Sequence, residues 1–267
     1  VQAVSSIPNR DLRDEIKAYW SLRAETFDTQ PGHEIFSDEE RAAWHALLRK
    51  HLGQGEGRAA LDLACGTAVV SHLLDDLGFK VTGLDWAEPM LERARAKAKA
   101  RGREIRFLLG DAERTMESDD TYDVITNRHL VWTLVDPLAC FREWHRVLKA
   151  GGKVLIVDGD FVNTSMLTRM MKRFTAWASR IGLAKDALHG APNSEMAATH
   201  SSILSRVHFS NGAHAHAVAD LLREAGFSKV TIDQDMGAIH RAQRKNFSFF
   251  KGLERATQHR YAICAEK

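Results

Sequence analysis

The chain has 267 residues, 44% of them hydrophobic, with 37 Lys and Arg against 35 Asp and Glu and a formal net charge of +2. That length suits one large domain, or a core domain with a subdomain, and the near balance of charge presents no broad electropositive surface for nucleic acid. Cys65, Cys140 and Cys264 are too few and too scattered for a disulfide framework or a zinc set, and no apolar run approaches the ~20 residues that span a bilayer.

Residues 1–58 read as an N-terminal helical cap: a mobile tail, a helix over Leu12 to Phe27, and a second helix over Asp38 to His51 with Ser37 as its cap. The run Gly53-Gln54-Gly55-Glu56-Gly57 reads as a linker. The core follows over 59–160, where strand and helix signals alternate, the pattern of a parallel sheet covered on both faces. Residues 161–210 break that alternation with Met166, Met170, Met171, Phe174 and Trp177, an insert that is either a flexible apolar lid or ordinary packing. Residues 211–267 complete the core: a helix from Ala213 to Ala225 ended by Gly226, a strand from Val230 to Asp235, and a last strand from Arg260 to Ala265. The basic run Arg241-Ala242-Gln243-Arg244-Lys245 reads as a solvated helix face.

The most informative stretch runs from Leu61-Asp62-Leu63-Ala64-Cys65-Gly66-Thr67-Ala68 through a helical segment to Lys80-Val81-Thr82-Gly83-Leu84-Asp85. It reads as strand, tight small-residue turn, helix, and second strand ending in a carboxylate. Such a turn lets a nucleotide-like ligand lie against the main chain, and an acid about 20 residues on accepts hydrogen bonds from ribose hydroxyls. A dinucleotide turn needs G-x-G-x-x-G for the pyrophosphate, whereas only Gly66 is a glycine here and Ala64, Ala68 and Val69 fill the neighbouring positions.

The run resembles instead the first motif of class I S-adenosylmethionine-dependent methyltransferases, and further motifs follow in order. Asp85 is followed by Trp86 and by Glu88-Pro89-Met90-Leu91, and Gly110-Asp111-Ala112-Glu113 follows the apolar run Ile105 to Leu109. Tyr122 to Asn127 stands as the fourth strand, and Trp144 to Gly152 with Lys153 to Val157 as helix, turn and fifth strand. The resemblance implies an α/β fold: a Rossmann-like, seven-stranded, mostly parallel sheet with an antiparallel last strand and helices on both faces, with the N-terminal helical preface and a helical lid insert after strand 5. It implies S-adenosylmethionine as cofactor and S-adenosylhomocysteine as product. The turn at Ala64 and Gly66 would cradle the methionine part, Asp85 would bind the ribose, Trp86 would cover the adenine beside Met90, and Asp111 and Ala112 would meet the adenine. Asn127 would lie near the methionine amino group, and Tyr19 and Arg23 would close a helix over the cofactor. Ala64 departs from a family glycine, an easy change if its φ is negative, and Ala68 places a methyl near the cofactor path.

Methyl transfer from a sulfonium asks the protein mainly to align a nucleophile and exclude water; a His can take a proton at neutral pH. Among 13 histidines, His129 leads, just beyond the fourth strand at the sheet edge where α/β ligands bind. Asp160, ending the fifth strand, is the second catalytic candidate, and with Asp158 has the alternative role of capping the next segment. His33, Trp132 and His208 are candidates for touching substrate, with helix packing as the other reading of Trp132 and His129. His214 and His216 are two apart on a helix with no completing ligand, so no metal site is expected.

What is absent narrows the acceptor. Asn127-Arg128-His129-Leu130 lacks the Pro-Pro turn of amino-methylating DNA enzymes, and no Pro-Cys nucleophile or set of paired thiols is present. The expectation is a cytoplasmic small-molecule methyltransferase, monomeric or homodimeric, without nucleic-acid or membrane partners, acting on N or O of an aromatic or heterocyclic metabolite. C-methylation of a quinone precursor is the enzymatic alternative, and a non-catalytic cofactor-binding protein the alternative of another class.

Overall fold

The computed structural model describes residues 12–29, 32–163, 194–246 and 259–267. The N-terminal tail and the Met-rich stretch containing Met166, Met170, Met171, Phe174 and Trp177 lie outside these.

Among the described residues, α1 spans Leu12–Arg23 and runs into a 3-10 turn at Ala24–Thr29, so the α-helix ends four residues before Phe27. Helix α2 (Asp38–Leu52) begins as its sequence predicts. The Ser37 hydroxyl accepts the Glu40 N–H at 3.2 Å, Glu40 accepts the Phe36 N–H in return, and the chain leaves the helix at Gly53 with φ 77°. The alternating core follows: β1 (Ala59–Leu63), α3 (Val69–Asp76), β2 (Lys80–Asp85), α4 (Glu88–Ala100), β3 (Arg106–Leu109), β4 (Tyr122–Arg128), α5 (Pro137–Val147) and β5 (Leu148–Asp160). Then come α6 (Ser194–Leu204), α7 (Ala215–Glu224), β6 (Ser228–Asp233), α8 (Gly237–Arg244) and β7 (His259–Glu266).

The seven strands form one sheet in the order β3-β2-β1-β4-β5-β7-β6. β1 to β5 pair in parallel, and β7 runs antiparallel between β5 and β6. Parallel strands buried on both faces need apolar residues at successive positions. Leu61, Leu63, Ile125 and Ile156 pack on one side with Phe141 and Trp144 of α5 and Val218 and Leu222 of α7. Ala60, Val124 and Leu155 pack on the other with Trp44 and Leu48 of α2, Leu73 of α3 and Ile239 of α8. The result is a helix–sheet–helix sandwich in which the cap helix α2 is part of one layer. Buried Gln243 of α8 donates to buried Glu40 of α2 at 2.8 Å, so the basic run at 241–245 is a solvated face on only one side.

Several boundaries differ from the sequence reading. β5 begins at Leu148 rather than Lys153, because Tyr122 pairs with Leu148 across an irregularity before the main register resumes at Val124–Lys153. β6 ends at Asp233, whose carboxylate accepts the Asp235 N–H and is held by Lys50 and His51. β6 and β7 pair antiparallel but are no tight hairpin, since α8 lies between them.

Candidate functional site

A cavity of about 370 Å³ opens at the carboxyl ends of the parallel strands, the edge where α/β sheets hold ligands. Its floor is the turn from β1 to α3. Cys65 N–H donates to Leu84 O and Ala68 N–H to Cys65 O, closing the turn on the end of β2. Asp85, 6% exposed, accepts the Gly66 N–H at 2.9 Å on one carboxylate oxygen and the Ala87 N–H at 2.8 Å on the other. Burial pushes its pKa up to about 6, against the pull of those backbone donors. Gly66 has φ 54°, and a side chain there would meet the Phe27 ring at 3.7 Å.

Ala64 also has a positive φ, 50°, and Ala68 one of 70°. The easy substitution expected at Ala64 is therefore not easy: both alanines hold a left-handed conformation that costs an L-residue roughly 1 kcal/mol or more.

Beyond β3, Gly110, Asp111, Ala112 and Glu113 line the cavity beside Trp86 and Met90. The Ala112 carbonyl accepts the Trp144 indole N–H at 2.8 Å, fixing the loop to α5, and Asp111 accepts the Glu113 N–H. Glu113 is clamped by Arg13 at 2.6 Å and by the Val135 and Asp136 amides.

The N-terminal segment covers this floor. Trp20 and Arg23 of α1 line the cavity with Phe27 and His33. The strap carrying Phe27 and His33 is tied down by Lys97, which reaches Asp28 at 2.8 Å and Glu34 at 2.5 Å, and by Thr67 donating to Asp28 at 2.6 Å.

At the end of β4, His129 has φ 61° and donates its N–H to Val157 O, and its ring lies 5.4 Å from Phe161. Trp132 meets Trp20, Phe161 and His200 at ring distances of 6.3, 6.0 and 5.5 Å. Arg128 lies over the Trp44 ring and donates from Nη2 to the His33 carbonyl at 2.7 Å.

Most of the anticipated residues line this one cavity: Arg23, His33, Ala64, Gly66, Asp85, Trp86, Met90, Asp111, Ala112, His129 and Trp132. Four do not. Tyr19 is buried behind the wall, where its hydroxyl accepts Arg23 Nη1 at 3.0 Å. Asn127 is 1% exposed on the sheet face shared with Ile125, because side chains alternate along a strand. Asp160 accepts the Val162 and Asn163 N–H groups and lies 3.1 Å from His214, so it holds the turn after β5. Its neighbour Asp158 likewise caps the turn at Val131, with a pKa raised by burial to about 7. His208 is exposed beyond the end of α6, and His200, within that helix, lines the cavity instead.

Asp62, Arg128 and Phe161 are among the lining residues that had carried no assigned role. Asp62 sits inside β1, hydrogen-bonded by Ser71 and Thr126, with burial raising its pKa to about 6; a lone acid inside an apolar strand was its signal. Arg128, the basic residue closing a buried strand, carried a similar one. Phe161 carried none.

A seven-stranded sheet with an antiparallel strand next to its edge, and an acid at the end of β2 facing a small-residue turn, are the features that the resemblance to class I methyltransferases implies. Residues 61–156 match the family model described as a methyltransferase domain, and that part of the chain is such a domain. The chain is 36% identical over 128 residues to the demethylmenaquinone methyltransferase of Lactococcus lactis, covering 46% of this chain and 51% of that protein. It is 34% identical over 153 residues to that of Staphylococcus epidermidis, covering 56% and 62%. It thus spans about half to three-fifths of the curated relatives it matches. Among solved structures, Haemonchus contortus phosphoethanolamine N-methyltransferase 2 with S-adenosylmethionine aligns with TM-score 0.65 at 15% identity, over 97% of this chain and 60% of that one. A Pyrococcus horikoshii protein aligns with TM-score 0.57 at 24% identity, over 91% and 98%. These two likenesses concern the fold alone.

Proposed function

We propose that this chain is an enzyme that moves a methyl group from S-adenosylmethionine to N or O of a small aromatic or heterocyclic acceptor. The carrying observation is Asp85: a buried carboxylate hydrogen-bonded to the glycine of the β1 turn, at the floor of a cavity walled by Trp20, Phe27, Trp132 and Phe161. Asp85 would hold the ribose, Gly66 and Ala64 would admit the methionine part, and Trp86, Met90, Asp111 and Ala112 would enclose the adenine. When bound, the sulfonium supplies a methyl group already activated for in-line displacement. The chain's own contribution is alignment and exclusion of water by the aromatic wall and the strap over Gly66. His129, at the exit of β4, is the group we assign to take the acceptor's proton. His200 faces the same cavity with its pKa lowered by burial and then by Arg23, so its imidazole is neutral at pH 7 and able to accept a proton too.

Calorimetric titration with S-adenosylmethionine and S-adenosylhomocysteine, repeated on Asp85→Ala, tests this reading. Binding of both that collapses in the variant supports it; no heat from either with the unaltered chain overturns it.

A second reading, C-methylation of a quinone precursor, is favoured by what the curated relatives act on. It predicts turnover that improves with the length of an isoprenoid tail on the acceptor. A third, non-catalytic binding, rests on the strained Ala64 and Ala68 and predicts binding without turnover.

A further inference from the structure

The carboxylates lining the cavity and two of its three arginines are sorted by sheet position. The carboxylates sit at β1 (Asp62), β2 (Asp85) and just past β3 (Asp111, Glu113), all on one half of the strand order. The guanidiniums come from β4 (Arg128), from β7 (Arg260) and from α1 (Arg23). The three histidines of the wall, His33, His129 and His200, come from the strap, the end of β4 and α6, and none from the β2 and β3 end.

S-adenosylmethionine is net cationic, with a sulfonium and an ammonium against one carboxylate, which suits the acidic half. The basic half includes His129, the group assigned above to the acceptor's proton. There Arg128 is half-buried, its pKa lowered by loss of water, and while Nη2 is used by the His33 carbonyl, Nη1 is buried with no hydrogen-bond acceptor. A buried charged donor without an acceptor is unfavourable unless a ligand completes it. A second donor in the same wall, the Trp132 indole N–H, is likewise buried and unpartnered. Two unpartnered donors in one wall suit an oxygen-rich anion, which would act on Arg128 together with the nearby Asp62, Glu34, Glu40 and Asp28.

We propose that the acceptor is an aromatic or heterocyclic carboxylate whose carboxyl group is bound by Arg128; the proposal rests on the methyltransferase reading above and names the substrate class of that site. Arg128 then carries two loads at once, the strap through Nη2 and the acceptor through Nη1, so that an occupied acceptor site also favours the closed strap.

The test pairs aromatic acids with their neutral amides, benzoate against benzamide and nicotinate against nicotinamide, titrated into the protein saturated with S-adenosylhomocysteine. The acids are expected to bind at least about tenfold tighter than the amides, on the scale of one charge-assisted hydrogen bond. Arg128→Met is expected to abolish that preference while S-adenosylhomocysteine binds as before. Arg128→Lys, which keeps the charge and loses the fork, is expected to keep part of it, and thermal unfolding of both variants reports on the fold. Absence of a preference for acids in the unaltered chain, or a preference that survives Arg128→Met, overturns the proposal. Loss of S-adenosylhomocysteine affinity in Arg128→Met, with 5′-methylthioadenosine affinity intact, also overturns it, by assigning Arg128 to the cofactor's own carboxylate. If the unaltered chain binds neither adenosyl compound, the methyltransferase reading fails, and the acid–amide comparison on the free protein still judges Arg128.

Discussion

The Asp85 carboxylate accepts the Gly66 N–H at 2.9 Å across 19 residues of sequence, so the end of β2 and the turn after β1 are one mechanical unit. Removing the carboxylate strands two buried donors, the amides of Gly66 and Ala87. Asp85→Ala is therefore expected to lose about 1–3 kcal/mol of stability, partly offset by relief of a buried charge. In the same variant S-adenosylhomocysteine binding should weaken by on the order of 100-fold, and urea unfolding with calorimetry separates the two effects.

The raised pKa of Asp85 gives opposite pH trends to binding and stability. Binding of ribose hydroxyls needs the ionised form, so S-adenosylhomocysteine affinity should fall as pH drops below about 6, by up to about tenfold per unit. Stability runs the other way: with a folded pKa above its ordinary value, Asp85 contributes fully at low pH and loses that contribution as pH rises through about 6. His72, lowered by burial to about 4, pulls against this trend. The signature therefore lies in the difference between the unaltered chain and Asp85→Asn, followed by urea unfolding from pH 4 to 7; a pH-independent difference would remove the assignment.

Backbone strain at Ala64 and Ala68 should be relieved by glycine, with unequal results. Ala64 is half-buried, so Ala64→Gly is expected to stabilise by about 1 kcal/mol. Ala68 is fully buried, and losing its methyl costs about 0.8 kcal/mol, which leaves Ala68→Gly near neutral. Chemical denaturation of the two variants checks the order.

Lys97 is the tie between α4 and the strap, in contact with Asp28, Glu34 and the Thr67 hydroxyl. Lys97→Ala should loosen the strap without touching Asp85. S-adenosylhomocysteine should then leave faster, by about fivefold for ~1 kcal/mol of lost closure, with less change in association. Stopped-flow fluorescence of the cavity tryptophans follows both rates, and an unchanged dissociation rate would show that the strap does not gate the site.

His129 is open to a separate check. His129→Gln removes the proton acceptor and is expected to lower turnover by on the order of 100-fold or more, with S-adenosylhomocysteine binding retained. If turnover persists with a new dependence on His200, that neutral imidazole is the working base.

The floor of the site was legible because its rules are local. A parallel strand buried on both faces writes itself as Leu61-Asp62-Leu63, and the tight turn and the acid after the next strand follow within 24 residues. The helix start at Ser37 and Glu40 was legible for the same reason. The walls were not. Tyr19 and Arg23 are four apart on one helix, yet only Arg23 reaches the cavity while Tyr19 turns to α6 and stacks near His200 at 5.6 Å. Asp160 looked like a base at the sheet edge and is spent on the amides of its own turn.

The sequence by itself thus determined the order of strands and helices, the position of the acid at the end of β2 and the class of domain, since hydrophobic period and turn chemistry act over a few residues. Only the tertiary structure decided that Ala64 is left-handed, that His200 rather than His208 faces the cavity, and that its carboxylates come from the β1 to β3 side while Arg128 and Arg260 come from β4 and β7. Those outcomes depend on how elements far apart in the chain pack: α6 meets α1 about 180 residues away, and β7 crosses back between β5 and β6 to bring Arg260 alongside Phe161. No local periodicity encodes such a meeting, because the free energy that selects it comes from burying surfaces that exist only after the helices and strands have formed.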